Sequence, residues 1–163
     1  MFLAISVLTI LWMVPETVSA QKQTELANKS PVDAVPCPNS LMTTAEATTM
    51  LEGHNLYRRQ LKLRDLVWDC RLAGNAQQWA NKRVTAHDEF TSYGESIFVA
   101  TSPTIPVAAA LAGWVGEKQN WNNEGAFCVT GKVCTHYTQM VWRNTTKIGC
   151  GLIRNGPLKW KTF

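Results

Sequence analysis

The residue whose type and position most clearly suggest chemistry is Glu117, because it interrupts an apolar helical pattern. It lies three residues after Trp114 and four before Trp121, on the apolar stripe of a predicted helix. A buried carboxylate is costly unless it is paired, hydrogen-bonded or bound to a metal ion. The commoner alternative is a carboxylate at the edge of the stripe that reaches solvent or bonds to a neighbour.

Two histidines and a second glutamate could extend such a site. His87 and Glu95 lie in one segment without periodicity, and His136 has aromatic and apolar neighbours, where a packed core histidine is the usual finding. Imidazole nitrogens and carboxylate oxygens are ligands of zinc and similar divalent ions. The chain has no His-Glu-x-x-His helix and no Cys-x-x-Cys pair, so spacing alone supports a metal site only weakly.

Nucleophilic catalysis has less support from the residues. Ser96 adjoins Glu95, but no Gly-x-Ser-x-Gly turn surrounds it. Oxidised cysteines would lack the thiolate that attacks a substrate. The 7 tryptophans are many for this length. Core packing is their default role, although some could line an apolar groove.

The overall composition indicates one secreted globular domain. The chain has 163 residues, 17% of them charged, and a net charge of +4. Its basic residues, Arg58 and Arg59 among them, are scattered, so we expect a solvated surface and no nucleic-acid partner. Residues 1–20 carry an apolar run too short to span a bilayer and end in Val18-Ser19-Ala20, which indicates a signal peptide and an extracellular protein.

The cysteines and two glycosylation motifs fit that compartment. Any four of the 5 cysteines allow three disulfide pairings, and an odd thiol remains. Cys128 and Cys134 could bridge locally, or each could reach further. The sequons begin at Asn28 and Asn144. The second directly follows a predicted strand, where we expect it to be sterically hidden. The five cysteines are Cys37, Cys70, Cys128, Cys134 and Cys150.

The elements that would position these residues are helices followed by strands. Residues 21–42 read as a flexible lead-in, and a Thr43–Glu46 capping box starts a helix over 44–62. Asp69 is the predicted cap of a second helix, 85–103 a functional loop, and Pro106 the opening of a third helix. Strands are predicted over 135–143, 148–154 and 158–163, the last two flanking an Asn155-Gly156 turn. This order predicts an α+β domain.

Three segments resemble the CAP superfamily, which includes cysteine-rich secretory proteins, venom antigens and plant pathogenesis-related proteins. The resemblance covers roughly 43–163, which we take as the domain, and implies an α-β-α sandwich with a central antiparallel sheet. Family members normally continue beyond a strand like Lys161-Thr162-Phe163 into a further cysteine. We therefore expect a truncated chain with an incomplete last strand, whose missing cysteine would pair with Cys150 or another of the five. The segments are His54-Asn55-Leu56-Tyr57-Arg58, 66–80 and 136–151.

The resemblance also implies a central cleft that holds zinc in many members. Its four site residues fall on His87, Glu95, Glu117 and His136. The family usually has Gly-Glu-Asn where this chain has Gly94-Glu95-Ser96, so the carboxylate is kept and the asparagine is lost. His54 is expected to pack within its helix rather than to join the four.

The function expected on these grounds is that of a secreted binding protein with a defence or host-interaction role. Its cleft would bind a divalent metal, with a sterol or other lipid as a further ligand and an extracellular protein or membrane surface as partner. The alternative is an extracellular peptidase in which Glu95 or Glu117 is the general base and His87 or His136 positions it. A serine peptidase would instead use Ser96 as its nucleophile. The third hypothesis is a protein that only binds partners, without metal chemistry or catalysis.

Overall fold

The computed structural model of the protein describes residues 37–154. The predicted signal peptide, most of the lead-in, the Asn155-Gly156 turn and the last strand therefore lie outside the described residues. Within residues 37–154, no helix has the length and apolar character needed to cross a membrane. The end of the lead-in is packed rather than free: Met42 is buried in the core, and the backbone N–H of Leu41 donates to Oε1 of Gln77 at 3.0 Å.

The first helix, α1, spans Thr44–Gln60, as the capping box predicts. Oγ1 of Thr43 accepts from the backbone N–H of Glu46 at 3.2 Å, and Oε2 of Glu46 accepts from the N–H of Thr43 at 2.9 Å. Two N–H groups that the first turn leaves unpaired are thus satisfied reciprocally. The buried face of α1 carries Ala47, Met50, Leu51, His54, Asn55 and Arg58.

The second helix, α2, spans Cys70–Asn81 and begins after Asp69, the predicted cap. Oδ1 of Asp69 accepts from the N–H groups of Arg71 and Leu72 at 2.9 and 3.1 Å. Nζ of Lys147 lies 2.8 Å from Oδ2. The hydrogen bond from Lys147, with the backbone donors, lowers the pKa of Asp69 to about 2. One carboxylate therefore starts α2 and ties it to a residue far along the chain.

The third helix, α3, is shorter than the apolar stripe suggests. It spans Ala108–Gly116, and the chain then tightens into a 3₁₀ helix over Glu117–Asn120. Pro106 lies just before the helix, where its carbonyl accepts from the N–H of Ala109 at 2.9 Å. The expectation that Glu117 lies within the α-helix is therefore wrong: it is the first residue of the tighter turn.

The fourth helix, α4, replaces a predicted strand. Residues Thr135–Met140 are helical, so the strand predicted over 135–143 is wrong. The buried residues are Tyr137 and Met140, three apart, which is a helical spacing. The segment is short, and its apolar residues fit both a period of two and a spacing of three. Packing of Met140 into the core decides between the two.

The strands of the described part are short and form two separate two-stranded sheets. β1 (Val67–Trp68) pairs in parallel with β4 (Lys147–Ile148). β2 (Trp121–Asn122) pairs antiparallel with β3 (Phe127–Cys128). Helices and strands together make an α+β fold. The pairing between β1 and β4 is parallel rather than antiparallel as expected, and the strand predicted over 148–154 is reduced to β4.

The core lies where α1, α3 and α4 meet. Its buried members come from the segment before α1 and from all three helices. Contacts of this kind between elements far apart in sequence supply most of the stability of short helices. The cluster consists of Met42, Met50, Ala110, Leu111, Trp114 and Met140.

Arg58 is fully buried, which corrects the expectation that it is a solvated base. Its guanidinium donates to four backbone carbonyls: those of Arg64 at 2.9 Å, Met140 at 3.1 Å, Trp142 at 2.9 Å and Thr145 at 2.9 Å. A buried charge is tolerated when most of its donors are used in this way. Arg58 thereby fixes the end of α4 and the turn after it to α1.

The structure resolves the pairing of four of the five cysteines, which the sequence leaves open. Cys37 is bonded to Cys70 and Cys128 to Cys134, so the local bridge is the one that forms. Cys150 carries no disulfide among the described residues. The first bond ties the start of α2 to the segment before α1, and the second closes the loop before α4.

Candidate functional site

The four residues expected at the cleft form two histidine–glutamate pairs. In the first pair, Oε1 of Glu117 lies 2.6 Å from Nδ1 of His136. Glu117 opens the 3₁₀ helix after α3, and His136 is the second residue of α4. The two side chains keep 15% and 26% of their exposure, so the pair is largely buried but open on one side.

The same carboxylate also caps α4. Oε2 of Glu117 accepts from the backbone N–H groups of His136 and Tyr137 at 2.9 and 3.2 Å. The cap residue of α4, Cys134, provides no side-chain hydrogen bond of its own. A carboxylate at this position satisfies unpaired N–H groups and the positive end of the helix dipole. Both oxygens of Glu117 thus accept hydrogen bonds, which agrees with the alternative that this carboxylate bonds to neighbouring residues.

An aromatic stack backs the His136 ring. The Trp114 ring lies parallel to it, with centroids 6.1 Å apart and an interplanar angle of 16°. The His54 ring lies edge-on to Trp114, with ring centroids 6.1 Å apart and an interplanar angle of 67°. His54 is buried within α1, as predicted, and its Nδ1 lies 2.7 Å from the carbonyl of Met50. Burial lowers the pKa of His54, which favours the neutral ring.

The second pair is more exposed and lies in the loop between α2 and α3. Oε1 of Glu95 lies 2.5 Å from Nδ1 of His87 and accepts from the backbone N–H of Asp88 at 3.2 Å. The side chain of His87 is 63% exposed. Trp79 holds the start of this loop, since its Nε1–H donates to the carbonyl of Ala86 at 3.0 Å. The loop predicted over 85–103 is thus observed and is anchored at its beginning.

Close packing of Gly94 against Gln139 places the loop beside α4. A Cβ atom at Gly94 would overlap the side-chain amide of Gln139. Gly94 adjoins Glu95, and Gln139 lies one helical turn after His136. The absence of a side chain at Gly94 therefore lets the loop with the second pair approach the helix with the first. Sequence reasoning missed Gln139 because it assigned the segment to a strand.

Both pairs share one chemical arrangement. A carboxylate that accepts from Nδ1 fixes the histidine tautomer and leaves the lone pair on Nε2. This is the arrangement in which histidines ligate metals, with the carboxylate as orienting partner. Within residues 37–154, no group of three or more His, Cys, Asp or Glu residues is placed to hold a metal ion together. The four-ligand site remains a prediction.

An open cavity of about 550 Å³ lies elsewhere, between the start of α1 and the segment before α3. None of its lining residues belongs to the two pairs. Arg154 closes one side: it pairs with Glu46 and donates to the carbonyl of Pro103 at 2.8 Å. The lining residues are Ala45, Glu46, Thr49, Pro103, Thr104, Pro106, Val107, Ala108 and Arg154.

Comparison with known families identifies the family of this chain and supports the α+β fold. The model of the CAP family, described as the cysteine-rich secretory protein family, matches residues 51–160. The match covers more than half of the chain and contains both histidine–glutamate pairs. The chain belongs to the CAP family.

Relatives within this group come from animals and plants. Peptidase inhibitor 16 of Bos taurus is 36% identical over 124 residues, 72% of this chain and 27% of that protein. The basic form of pathogenesis-related protein 1 of Nicotiana tabacum is 41% identical over 108 residues, 64% of this chain and 60% of that protein. The structure of Schistosoma mansoni venom allergen-like protein 4 matches with a TM-score of 0.53 and 27% identity, over 65% of this chain and 77% of that one. The chain thus spans less than two thirds of both curated relatives.

Proposed function

We propose that this chain is a secreted CAP-domain protein of the defence type whose two histidine–glutamate pairs bind zinc or a similar divalent ion. The observation that carries the proposal is the orientation of His87 and His136: in each, Nδ1 faces a carboxylate and Nε2 is left for a ligand. Two disulfides support an oxidising, extracellular compartment. The similarity to a pathogenesis-related protein of tobacco supports the defence role.

The hydrogen bonds that the carboxylates already make favour the two imidazoles as the ligands of a zinc ion. Both oxygens of Glu117 already accept hydrogen bonds, and Oε1 of Glu95 accepts two. We therefore propose that Nε2 of His87 and Nε2 of His136 hold the ion, and that Glu95 and Glu117 orient the rings. When bound, the ion would supply a Lewis-acid centre. We also propose that the described elements belong to an α-β-α sandwich, supported by the structural match to the venom allergen-like protein.

Zinc titration with calorimetry and thermal unfolding tests the metal site. Zinc at a hundred times its dissociation constant should stabilise the wild type by about 2.7 kcal/mol. His87→Gln and His136→Gln should each weaken zinc binding at least about tenfold, because each removes a ligand. Glu95→Gln should weaken it about 10- to 100-fold by disturbing the ring orientation.

Glu124→Gln is the matched control, since Glu124 is exposed and lies outside both pairs. Its zinc affinity should equal that of the wild type. A wild-type chain that folds cooperatively but binds no zinc, or histidine variants that bind it unchanged, would refute the metal site.

A sterol or other hydrophobic ligand is the second part of the proposal, and the cavity beside α1 supports it. The cavity is open to solvent, and its lining includes the apolar side chains of Pro103, Pro106 and Val107. Titration with a fluorescent sterol should show saturable binding that Ala45→Phe abolishes by filling the cavity. Thr44→Phe is the control, because Thr44 is the exposed neighbour that does not line it. Equal binding by both variants would reject this location.

The peptidase alternative receives less support from the contacts. A general base needs a free lone pair toward its substrate. Glu117 has both oxygens engaged, and within the described residues no histidine hydrogen-bonds Ser96. Oε2 of Glu95 accepts no hydrogen bond within residues 37–154, so Glu95 is the remaining candidate base. Peptide cleavage that disappears in Glu95→Gln, but not in Glu124→Gln, would reinstate the alternative.

A further inference from the structure

The sequon at Asn144 lies in an exposed turn directly after α4, contrary to the expectation that it is hidden. The N–H of Thr145 donates to the carbonyl of Trp142 at 3.2 Å, which closes the turn. Asn144 and Thr146, the first and third residues of the sequon, are both exposed. The segment before the sequon is the helix α4 rather than the predicted strand. Within residues 37–154, an oligosaccharide on Asn144 would start from an exposed side chain.

The base of this turn is rigid although its tip is exposed. The buried guanidinium of Arg58 donates to the carbonyls of Trp142 and Thr145, both at 2.9 Å. The carbonyl of Thr146 accepts from the N–H of Val67 at 3.1 Å. The carbonyls of Trp142, Thr145 and Thr146 are thus all hydrogen-bonded to groups from α1 or β1 or to the turn itself. The Asn144 side chain makes no hydrogen bond within the described part of the chain, so its amide is available without loss of a structural contact.

Trp142 gives the turn a second feature that points to a sugar. Its relative exposure is 57%, and it is the one exposed tryptophan among residues 37–154. It precedes Asn144 by two positions, and both residues lie in the turn that the hydrogen bond between Thr145 and Trp142 closes. An indole is a flat, amphipathic surface on which the apolar face of a pyranose can pack. An exposed indole two residues before an asparagine acceptor, in the same turn, is therefore a candidate surface for the first sugar.

We propose that Asn144 is N-glycosylated and that the indole of Trp142 packs against the first N-acetylglucosamine. The proposal rests on entry into the secretory pathway, which is part of the proposed function. In the reaction, Nδ2 of Asn144 attacks C1 of an oligosaccharide carried on a lipid pyrophosphate. The Nδ2–C1 bond forms, and the bond from C1 to the pyrophosphate oxygen breaks. The lipid pyrophosphate leaves with the electron pair, and Nδ2 loses one proton.

Occupancy is tested on the full chain secreted from eukaryotic cells behind an established leader, so that entry does not depend on residues 1–20. In an Asn28→Gln background, Asn144 is the remaining sequon. We expect a mobility shift that an amidase for N-glycans removes, leaving Asp at position 144 by mass spectrometry. Asn144→Gln and Thr146→Ala should abolish the shift, and Thr146→Ser, which preserves the sequon, should keep it. Secreted protein with unmodified Asn144 would overturn the proposal.

The role of Trp142 is tested by unfolding protein trimmed to a single N-acetylglucosamine. Relative to Asn144→Gln, the sugar should raise Tm by about 2 °C when Trp142 is present. The rise should vanish in Trp142→Ala and persist in Trp142→Phe. An equal rise in Trp142→Ala would overturn the packing contact. Zinc titration of the same secreted samples reads out the metal site separately, so the two proposals fail independently.

Discussion

The Oε1 atom of Glu117 lies 2.6 Å from Nδ1 of His136, while its Oε2 atom accepts from the backbone N–H of the same residue at 2.9 Å. One carboxylate therefore orients the ring and caps the helix that carries it. The structural and functional explanations of Glu117 are compatible, because the cap places the histidine and the ring contact sets its tautomer.

Glu117→Gln should separate the two roles. The carbonyl oxygen of Gln can replace only one of the two carboxylate oxygens, so it cannot accept from both the ring and the backbone. The NH₂ group of Gln would face the remaining N–H group, which is also a donor. We expect a loss of about 1–2 kcal/mol in the free energy of unfolding. Denaturant unfolding measures it. Glu124→Gln, at an exposed position, should change stability by less than about 0.5 kcal/mol. Equal stability of the two variants would show that the cap contributes nothing.

Replacement of Arg58 should be severely destabilising. Arg58→Met leaves four carbonyls without their donor, and we expect a loss of about 3–5 kcal/mol. Arg58→Lys should recover only part, since an ammonium lacks the planar fork. Arg59→Met is the matched control: Arg59 is half exposed and pairs with Asp65 and Glu52, so its loss should cost less than about 1 kcal/mol. Chemical unfolding of the three variants measures these losses of stability. Equal losses for Arg58→Met and Arg59→Met would contradict the role of Arg58 in fixing α4 and the turn after it to α1.

Gly149, the residue after β4, packs closely against the start of α2. A Cβ atom there would overlap the backbone nitrogen of Ala73 and the backbone oxygen of Asp69. Backbone cannot move aside as a flexible side chain does, so Gly149→Ala should cost about 3 kcal/mol or more. Gly116→Ala is the control, because nothing lies within 4 Å of that position and its backbone is helical. It should stabilise by about 0.5–1 kcal/mol. A tolerated Gly149→Ala, measured by thermal unfolding, would disprove the close approach.

Cys150 should make stability fall at alkaline pH. Burial around the sulfur raises the pKa of this thiol to about 12, although the residue as a whole keeps some exposure. The unfolded chain releases the proton from about pH 9 upward, whereas the folded state retains it until about pH 12. Stability should therefore fall by about 1.4 kcal/mol per pH unit in that window and be unaffected below it.

The measurement is the pH dependence of unfolding between pH 8 and 11, compared with Cys150→Ala. Lysines and tyrosines titrate in both proteins, so the difference in slope isolates the thiol. If stability falls with pH equally in the wild type and in Cys150→Ala, the thiol ionises in the folded state and the prediction is wrong. Rapid alkylation of Cys150 in the native state would agree with that outcome.

Local sequence rules predicted the first two helices well. The capping box at Thr43 and Glu46 and the carboxylate cap at Asp69 act within a few residues of themselves, so their effect can be read without knowledge of the fold. The loop around Glu95 was also predicted, because its composition has no helical or strand period. The four site residues came from family resemblance, since His and Glu at long separations give a weak signal alone.

The sequence by itself therefore determined the family, the capped helices and the residues available for a site. Tertiary structure alone decided that 135–140 is a helix, that Arg58 is buried and which cysteines pair. It also decided that Glu117 meets His136 across 19 positions of sequence. The physical reason is the sequence distance over which the interactions act. Caps and turns are set by neighbouring residues, whereas burial and the choice of partner depend on segments that meet only when the core forms.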